Sequence, residues 1–484
     1  MKGARVLIWG FGRHGGGLAA GLHAESRGAV VEVLDSRPAK ELGADADTAR
    51  ARGWRWHVGD ASHPVFRRVD AVIPSPAIPP RAWPIDAPPA WSPEWLFFSA
   101  HRGPRVAVTG TKGKSTTSTI LGRLLGWPVA GNSHEPLLSA LGRLGADTPM
   151  VCELSSFQLW YLRQLRPEFA AAVVPSLAVD HLDWHPSVEH YHATKLALLG
   201  WCQACAVADE VAPMLTSIPA PGIRLLPRFT CDNGWFCDSQ GVAVAARTDL
   251  DLLGDHNARN AGLALAVARH LGVEDDDLAP RLRLVTALPH RLQLVHEVAS
   301  PAPSDRRATA THRRETGTDR RSTAGPDRRA TDGADRRATS GADRRATGGA
   351  EGQPLRWRFV NDSIATTPES AMAALTSIQG ALAVILGGSD KGAQFAGLAR
   401  AVAARGAHPV LIGQTGPALA AALAEVGIAT GIMPSLELAV ARAVELLPGG
   451  GTILLSPACA SLDQFRSFED RGNRFAAAAK RVVV

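Results

Sequence analysis

Short apolar runs alternate with longer stretches of helical character along most of this chain. The runs read RVLIWG, VVEVLD, DAVIPSP and RVAVTG near the start, and MVCELSS, AAAVVPS, LAVILGG and TILLSP further on. Unbroken apolar runs of this length, each followed by a helical pattern, are typical of the buried strands of parallel sheets. The pattern therefore predicts an α/β fold built on parallel sheets.

The chain has room for more than one such sheet. Its 484 residues are enough for about two to four domains of ordinary size. A proline-rich stretch at 74–93 and the change of pattern after ALPHR mark two boundaries. We predict three domains, at residues 1–93, 94–293 and 294–484.

The composition is that of an ordinary globular protein, with 45% hydrophobic residues. No run approaches the ~20 uncharged apolar residues of a membrane-spanning helix. The opening MKGARVLIWGFGRHGGG has the pattern of a first strand and not of a secretory signal, so we expect a cytoplasmic protein. The Cys202 and Cys205 pair has no second cysteine pair at zinc spacing, which favours reduced, buried thiols over a zinc site.

The net charge of +6 comes almost entirely from one segment. Residues 301–350 hold twelve arginines and seven acidic residues, and they repeat DRRSTAGP, DRRATDGA, DRRATSGA and DRRAT. Such a segment lacks the apolar residues of a core, so 301–352 is predicted to be a disordered insert. The flanking HRLQLVHEV and PLRWRFV alternate as strands, which places the insert where a hairpin turn would be. Binding of phosphate groups by the insert is an alternative interpretation of its arginines. The rest of the chain is nearly neutral, so we expect no nucleic-acid partner for it.

The first chemical signal lies in VAVTGTKGKSTTSTILGRLL, residues 106–125. A strand, a glycine loop and a helix start follow one another, which is the arrangement that holds phosphates. Lys114 can reach terminal phosphates and Ser115 can bind Mg²⁺. The spacing is shorter than in the usual P-loop, because Val108 stands at the place of its first glycine. The predicted ATP-binding loop comprises Gly110, Thr111, Lys112, Gly113, Lys114, Ser115 and Thr116.

Candidate metal ligands follow other apolar runs. Glu153 ends one predicted strand and His181 follows another, at the sheet edge where α/β proteins bind ligands. Lys195 lies in the helical pattern that comes next, and only seven of the 52 basic residues are lysine, which suggests that an amine is needed there. A zinc site is the alternative for the histidines of this region, but their spacing is irregular. The histidines are His181, His185, His190 and His192.

The motifs of the whole chain resemble those of one family. They are GTKGKST, ELSSFQL, DHLDWH, YHATK, GDHNARN, LPHR, NDS, LGGSDKG and LSPACASLDQFRSFEDRGNRF, in this order. With them the chain resembles the Mur ligases, and among these the ligases that add glutamate to UDP-N-acetylmuramoyl-L-alanine. Folylpolyglutamate synthases share the central loop but would not be expected to carry the last motif.

The resemblance implies three domains and an ATP-dependent amide ligation in peptidoglycan synthesis. The expected domains are a Rossmann-like N-terminal domain for the UDP-sugar, a central P-loop ATPase-like domain, and a Rossmann-like C-terminal domain for the amino acid. The acceptor carboxylate would take the γ-phosphoryl group of ATP, and the amine of glutamate would attack the acyl phosphate. The implied cofactors are two Mg²⁺ ions and a carbamylated Lys195, and a monomer is expected.

The resemblance also assigns residues to substrates. The implied metal ligands are Ser115, Glu153, His181 and Lys195. The implied catalytic residues are Lys114, Glu153, His181 and Lys195. Further ATP contacts are Asn257, Asn260, Arg291 and Asp362. The UDP-sugar contacts are Gly12, Arg13, His14 and Asn132, where Arg13 and His14 replace the small residues and threonine of the family. The glutamate contacts are Ile364, Thr366, Lys391, Ser461 and Phe468.

Ile364 is the main departure from the family pattern. In the D-glutamate-adding enzymes the motif beginning at Asn361 reads Asn-Asp-Ser-Lys-Ala-Thr-Asn, and here Ile364 replaces the lysine. Without the charge-assisted hydrogen bond that this lysine would donate, the carboxylate of glutamate must be held at another point. The chain thus resembles a variant branch that adds L-glutamate and works with a separate downstream epimerase. A D-glutamate ligase in which Ile364 is neutral is the alternative.

Two other classes of protein share some of these features. The glycines of GFGRHGGG and the acidic Asp35 also fit an NAD-dependent oxidoreductase, although the domain is short for one. A catalytically inactive binding module is disfavoured because the chain retains Lys114, Glu153, His181 and Lys195.

Deleting residues 303–350 and closing the gap with a short Gly/Asn turn should leave the thermal midpoint nearly unchanged. Loop length changes the closure free energy by only about 0.6 kcal/mol per doubling. Calorimetry of the purified deletion variant beside the full chain checks this, and a collapse in solubility would show that the tract has a role.

Overall fold

The computed structural model of the protein describes residues 1–12, 15–84, 86–217, 223–299, 355–390 and 392–483. The chain divides into two compact units. The first unit comprises Met1–Gln293 with Thr376–Ile378, and the second comprises Leu294–Leu375 with Gln379–Val484. The three-domain division stays a prediction. The predicted insert, residues 301–352, lies outside the described residues, as do Arg13, His14 and Lys391.

The first unit begins with a four-stranded parallel sheet in the order β3-β2-β1-β4. This order is the one found in half of a Rossmann fold. Alanines and a glycine on the buried face let the first helix approach the sheet closely. The elements are β1 (Arg5–Trp9), α1 (Gly16–Ser26), β2 (Val30–Asp35), α2 (Ala44–Ala51), β3 (Arg55–Val58), β4 (Ala71–Pro74) and α3 (Pro93–Ala100).

A six-stranded sheet follows, in the order β10-β9-β8-β5-β7-β6. All five pairs of neighbouring strands in it are parallel. The elements are β5 (Arg105–Val108), α4 (Lys114–Leu125), β6 (Val129–Gly131), α5 (Leu137–Leu144), β7 (Met150–Glu153), α6 (Ser156–Leu162), β8 (Phe169–Val174), α7 (Val188–Leu196), β9 (Cys202–Val207) and β10 (Arg224–Leu225).

The first unit ends with a small antiparallel sheet, ordered β11-β12-β13, and two helices. The elements are β11 (Thr230–Asp232), β12 (Trp235–Cys237), β13 (Ala243–Ala246), α8 (Asp255–His270) and α9 (Asp275–Leu282). Short 3₁₀ helices lie at Ala39–Glu41, Pro64–Arg68, Pro80–Ala82, Ala197–Trp201, Ala212–Ser217 and Arg247–Asp249.

Both faces of the six-stranded sheet are covered, which explains its nearly continuous apolar strands. Val106 and Val108 pack into one apolar cluster with residues of α4 and α8. Ala107, between them, packs into a second cluster that also contains Val6 and Val33 of the first sheet. This shared cluster joins the two sheets of the first unit into one compact body.

The second unit contains a five-stranded sheet in the order β14-β15-β18-β16-β17. Strands β15, β18, β16 and β17 pair in parallel. The elements are β14 (Gln293–Ala299), β15 (Arg356–Asn361), α10 (Pro368–Ser377), β16 (Leu382–Leu386), α11 (Ala396–Arg405), β17 (His408–Leu411), α12 (Gly416–Glu425), α13 (Leu436–Glu445), β18 (Gly451–Leu455) and α14 (Phe468–Ala479).

The predicted fold class is confirmed. Three mainly parallel sheets with helical crossovers are the α/β architecture that the alternating runs indicated. Strands β14 and β15 are neighbours in their sheet, as the hairpin interpretation of the two flanking segments required. Among the described residues, no helix is both long and apolar enough to cross a membrane.

Gly131 is the position at which β6 approaches β7 most tightly. Its φ is +119°, and a Cβ atom there would lie 2.1 Å from the backbone oxygen of Glu153. Gly145 also has a positive φ, of +93°, but a Cβ there would have no neighbour within 4 Å.

Gly131→Ala should therefore lower the free energy of unfolding by about 3 kcal/mol or more, because it adds a backbone clash to an unfavourable φ. Gly145→Ala, the matched control, should cost less than Gly131→Ala, on the order of 1–3 kcal/mol, since the unfavourable φ acts there without the clash. Urea unfolding of both variants measures the difference. Equal losses would show that β6 can move away from β7 at little cost.

Candidate active site

The predicted site residues of the first unit meet at the carboxyl edge of the six-stranded sheet. Strand β5 lies between β8 and β7, where the order of the strands reverses direction. The glycine loop follows β5, Glu153 ends β7, and the segment leading to His181 follows β8. Ligands of open α/β sheets bind at such switch points.

The loop between β5 and α4 requires glycine at two positions. Gly113, which caps α4, has a φ of +81°, and a Cβ there would lie 2.9 Å from Oδ1 of Asn260. Gly110 has a φ of +150°, and a Cβ there would lie 3.0 Å from the backbone oxygen of Ser176. Ser176 also fixes the loop, because its backbone oxygen accepts from the N–H of Thr111 at 3.0 Å. The loop is thus held in a shape that only glycine permits.

Lys114 folds back over this loop. Its Nζ donates to the carbonyl oxygens of Gly110, at 2.9 Å, and of Thr111, at 3.1 Å. Burial lowers the pKa of Lys114, and the nearby Glu153 carboxylate opposes that shift. A buried ammonium that is satisfied by neutral carbonyls has charge to offer to an anion bound above the loop.

Glu153 is fully buried at the end of β7. Its Oε1 accepts from Oγ of Ser115 at 3.2 Å and from Nδ2 of Asn132 at 3.0 Å. Burial acts to raise the pKa of Glu153, but contacts with His134 and Asn132 outweigh it, so the pKa is lowered. Glu153 is therefore an ionised carboxylate at neutral pH.

His134 is a neighbour of Glu153 that the sequence analysis missed. Its Nε2 lies 3.1 Å from Oε2 of Glu153, within ion-pair distance. The angles do not make this contact a hydrogen bond, and in the described part of the chain neither atom has another hydrogen-bond partner. The signal available in the sequence was the altered GNSH motif at 131–134.

The environment of Glu153 fits a magnesium ion. Mg²⁺ prefers oxygen ligands and commonly uses one or two carboxylates together with substrate phosphates. Glu153 offers a carboxylate oxygen without a hydrogen-bond donor in the described residues, and the Ser115 hydroxyl lies beside it. Over the same residues, no group of three or more histidine, cysteine or acidic side chains is placed to hold a metal.

Lys195 reaches the glycine loop from α7. Its side chain is 1% exposed, and its Nζ donates to the Gly110 oxygen at 2.9 Å. Burial, with Lys114 close by, lowers the pKa of Lys195 far below its usual value. The amine therefore loses its proton more readily than an exposed lysine does, and the neutral amine is the reactive form of a lysine.

His181 stands at the rim of the site. Its φ of +54° is unusual for a residue other than glycine, and its side chain is 45% exposed. The ring lies 4.8 Å from that of Phe157, and burial lowers the pKa of the imidazole. In the described structure its side chain contacts Asp180, Phe157 of α6 and Tyr191 of α7, and Glu153 is not among these contacts.

His185 has a structural role. It is fully buried, and its Nδ1 and Nε2 are hydrogen-bonded to Nδ1 of His190, at 2.8 Å, and Oγ of Ser156, at 2.9 Å. Burial lowers the pKa of His185 to about 4. It thus connects α6 to α7 as a neutral side chain.

The predicted nucleotide residues of α8 lie against the glycine loop. Asn257 and Asn260 are buried, and Nδ2 of Asn257 donates to the Leu253 oxygen at 2.8 Å. Asn260 is the residue that packs on Gly113. Arg291 is close enough to lower the pKa of Lys114.

A cavity of about 480 Å³ lies beside this edge and is lined by residues of both sheets of the first unit. Its wall includes Gly12 and Asn132, two of the predicted UDP-sugar residues, together with His134. The N–H of Gly12 donates to Oδ2 of Asp35 at 3.3 Å, and Arg37 also binds that carboxylate. Asp35, the residue on which the NAD interpretation rested, is thus engaged within the protein.

The remaining site predictions fall in the second unit, at the carboxyl ends of its strands. Asp362 follows β15 and accepts from Oγ of Ser456, after β18, at 2.8 Å. Ile364 is half-buried, Thr366 is exposed, Ser461 is buried after β18, and Phe468 begins α14. Ile364 and Ser461 thus follow strands β15 and β18, which are paired in the sheet.

Comparison with known proteins identifies the family. Two family descriptions match, "Mur ligase middle domain" over residues 108–217 and "Mur ligase, glutamate ligase domain" over residues 350–459. Proteins named UDP-N-acetylmuramoylalanine--D-glutamate ligase are similar over nearly their full length. The one from Roseiflexus sp. (strain RS-1) is 30% identical, with 98% of each chain covered. The one from Yersinia pseudotuberculosis serotype I is 31% identical, with 99% of each covered.

Solved structures support the fold. The UDP-N-acetylmuramate-alanine ligase MurC of Thermotoga maritima has a TM-score of 0.56 at 15% identity, with 99% of each chain covered. MurF of Acinetobacter baumannii has a TM-score of 0.54 at 16% identity, with 82% of this chain and 84% of the other covered. At these identities the likeness concerns the fold, whereas the full-length relatives establish the family. The chain belongs to the Mur ligase family.

Proposed function

We propose that this Mur ligase is an ATP-dependent amide ligase of peptidoglycan precursor synthesis, which adds L-glutamate to UDP-N-acetylmuramoyl-L-alanine. The observation that carries the proposal is the convergence of two buried lysines and a carboxylate on one glycine loop. Lys114 and Lys195 share the Gly110 oxygen, and Ser115 binds Glu153. Anion-stabilising groups of this kind suit phosphoryl transfer.

In the proposed reaction, the alanyl carboxylate of the acceptor takes the γ-phosphoryl group of ATP and ADP leaves. The amine of glutamate then attacks the acyl phosphate, forms the amide and releases phosphate. The loop N–H groups and Lys114 offset negative charge on the transferring group, because Lys114 can exchange its two carbonyl partners for phosphate oxygens. Thr111, Lys112, Gly113 and Thr116 complete the ATP loop in this proposal.

Ser115, Glu153, His181 and a carbamylated Lys195 would hold one or two Mg²⁺ ions, which supply positive charge between the phosphates and the acceptor carboxylate. Asn132 and His134 orient the Glu153 carboxylate from the side of the cavity. Asn257, Asn260, Arg291 and Asp362 are proposed nucleotide contacts. Gly12, Arg13, His14 and Asn132 are proposed contacts of the UDP-sugar, which the 480 Å³ cavity beside the loop would receive.

Lys195 is proposed to work as a carbamate. Its neutral amine can attack CO₂, lose a proton and become a carboxylate-like group, a change of charge that arginine cannot undergo. The low pKa of Lys195 supports this, because protonated lysine does not react. The carbamate would place a negative charge on α7 and remove the electrostatic repulsion between Lys195 and Lys114.

Glutamate is proposed to bind in the second unit, at Ile364, Thr366, Lys391, Ser461 and Phe468. The half-buried Ile364 offers no charge to a carboxylate. If isoleucine replaces the lysine of a D-glutamate enzyme, the ion pair between that lysine and the substrate carboxylate is lost. L-glutamate, whose α-carboxylate lies elsewhere, does not need that ion pair. A downstream epimerase would then supply the D configuration.

The second candidate is the D-glutamate ligase on the same acceptor. The observation in its favour is that the similar full-length relatives carry the name UDP-N-acetylmuramoylalanine--D-glutamate ligase. In both candidates the protein acts as a monomer in the cytoplasm, with ATP, glutamate and the UDP-sugar as its only required partners.

Lys195→Ala should lower kcat on the order of a thousandfold, because the site loses a charged group beside the phosphates. Short carboxylates such as acetate should restore part of the activity of Lys195→Ala but none of Lys195→Arg, which fills the space. Lys480→Ala, at an exposed position, is the control. A carbamate signal in ¹³C NMR with labelled CO₂ should accompany activity, and full activity in CO₂-free buffer would refute the carbamate.

The purified protein should use L-glutamate at least about tenfold better than D-glutamate in kcat/KM, which corresponds to about 1.4 kcal/mol of transition-state binding. ATP-dependent phosphate release with UDP-N-acetylmuramoyl-L-alanine and each enantiomer measures the ratio. Ile364→Lys should shift the ratio toward D-glutamate. Equal or better use of D-glutamate by the unaltered protein would establish the second candidate.

A further inference from the structure

Arg471 of α14 is a fully buried arginine that no substrate assignment includes. Its Nε donates to Oγ of Ser363 at 3.0 Å, and Nη2 donates to the backbone oxygen of Ser363 at 2.9 Å. Its Nη1 donates to the backbone oxygens of Cys459 at 3.0 Å and Ala460 at 3.3 Å. One side chain thus ties the segment after β15 to the segment after β18.

A third strand end lies against the same guanidinium. A Cβ at Gly388, which follows β16, would lie 3.1 Å from Nη1 of Arg471 and 2.1 Å from the Ala460 oxygen. The next N–H, of Ser389, donates to that Ala460 oxygen at 2.8 Å. Arg471 therefore lies beneath the junction of three loops, and the proposed glutamate contacts Ile364 and Ser461 are the residues that follow Ser363 and Ala460.

The charge of Arg471 has no direct counter-ion. All four of its acceptors are neutral oxygens, and among the described residues no carboxylate lies within ion-pair distance of it. Burial lowers the pKa of Arg471 to about 10, with an opposing effect from Asp463, so the side chain is charged at neutral pH. A buried charge without a paired anion is costly, and an anion bound nearby would offset the cost.

We propose that Arg471 is a positioning residue for the amino-acid substrate. It holds the loops after β15, β16 and β18 in one arrangement and gives their junction a positive potential that favours a glutamate carboxylate. Because Ile364 is apolar, this potential replaces part of the attraction that a charge at that position would supply. The inference rests on the proposed function, since it names a residue that helps glutamate bind.

The test compares Arg471→Met and Arg471→Lys with Arg474→Met in steady-state ligation assays. Arg474 lies on the same helix with its side chain 54% exposed, which makes it the matched control. Arg471→Met should raise the KM for glutamate at least about tenfold, with the KM values for ATP and the UDP-sugar changed less than about threefold. Arg471→Lys keeps the positive charge but loses the branched guanidinium that donates to several oxygens at once. Its KM for glutamate should therefore lie between those of Arg471→Met and the unaltered protein.

A purely structural role would lower the thermal midpoint and leave the KM for glutamate unchanged, and that result overturns the proposal. If Arg471→Met is insoluble, Arg471→Lys decides alone: a raised KM for glutamate with unchanged KM for ATP supports the proposal, and an unchanged KM for glutamate overturns it. Failure of the unaltered protein to ligate either glutamate enantiomer would instead refute the proposed function, so the two failures are distinguishable.

Discussion

The amines of Lys114 and Lys195 are both buried and both donate to the carbonyl oxygen of Gly110. The electrostatics of the candidate site at the carboxyl edge of the six-stranded sheet depend on this arrangement. Two ammonium ions so close together and so far from water repel each other, and the more buried one gives up its proton more readily. Lys195 is that residue. Burial lowers the pKa of both lysines around this one backbone oxygen, and it lowers that of Lys195 further than that of Lys114.

The fold class and the strand–loop–helix arrangement of the glycine loop were predictable because they depend on local pattern. Unbroken apolar runs predicted buried parallel strands, and the spacing of Gly110, Gly113 and Lys114 predicted a loop between strand and helix, which the structure contains. The two strands that flank the insert were also predicted as sheet neighbours from their alternation alone. Each of these inferences needed only the pattern of residues within single segments of the chain.

The missed contacts depend on residues that are far apart. Arg471 reaches Ser363 across 108 positions, and no spacing rule links them. His134 approaches Glu153 only because Gly131 brings β6 against β7, and this closeness follows from strand order, which the sequence does not reveal. The sequence therefore predicted the elements to which the candidate site residues belong, while tertiary packing determines which of their side chains come into contact.

The connection from Ser156 through His185 to His190 has a consequence for acid stability. Folded His185 takes up a proton only near pH 4, because burial lowers its pKa to about 4. In the unfolded chain a histidine is protonated below about pH 6.5. Between these values the unfolded state binds more protons, so acidification weakens folding through His185, while above about pH 6.5 its contribution is complete. The connection between α6 and α7 therefore contributes its full stability in neutral surroundings and loses it progressively as the pH falls from about 6.5 to about 4.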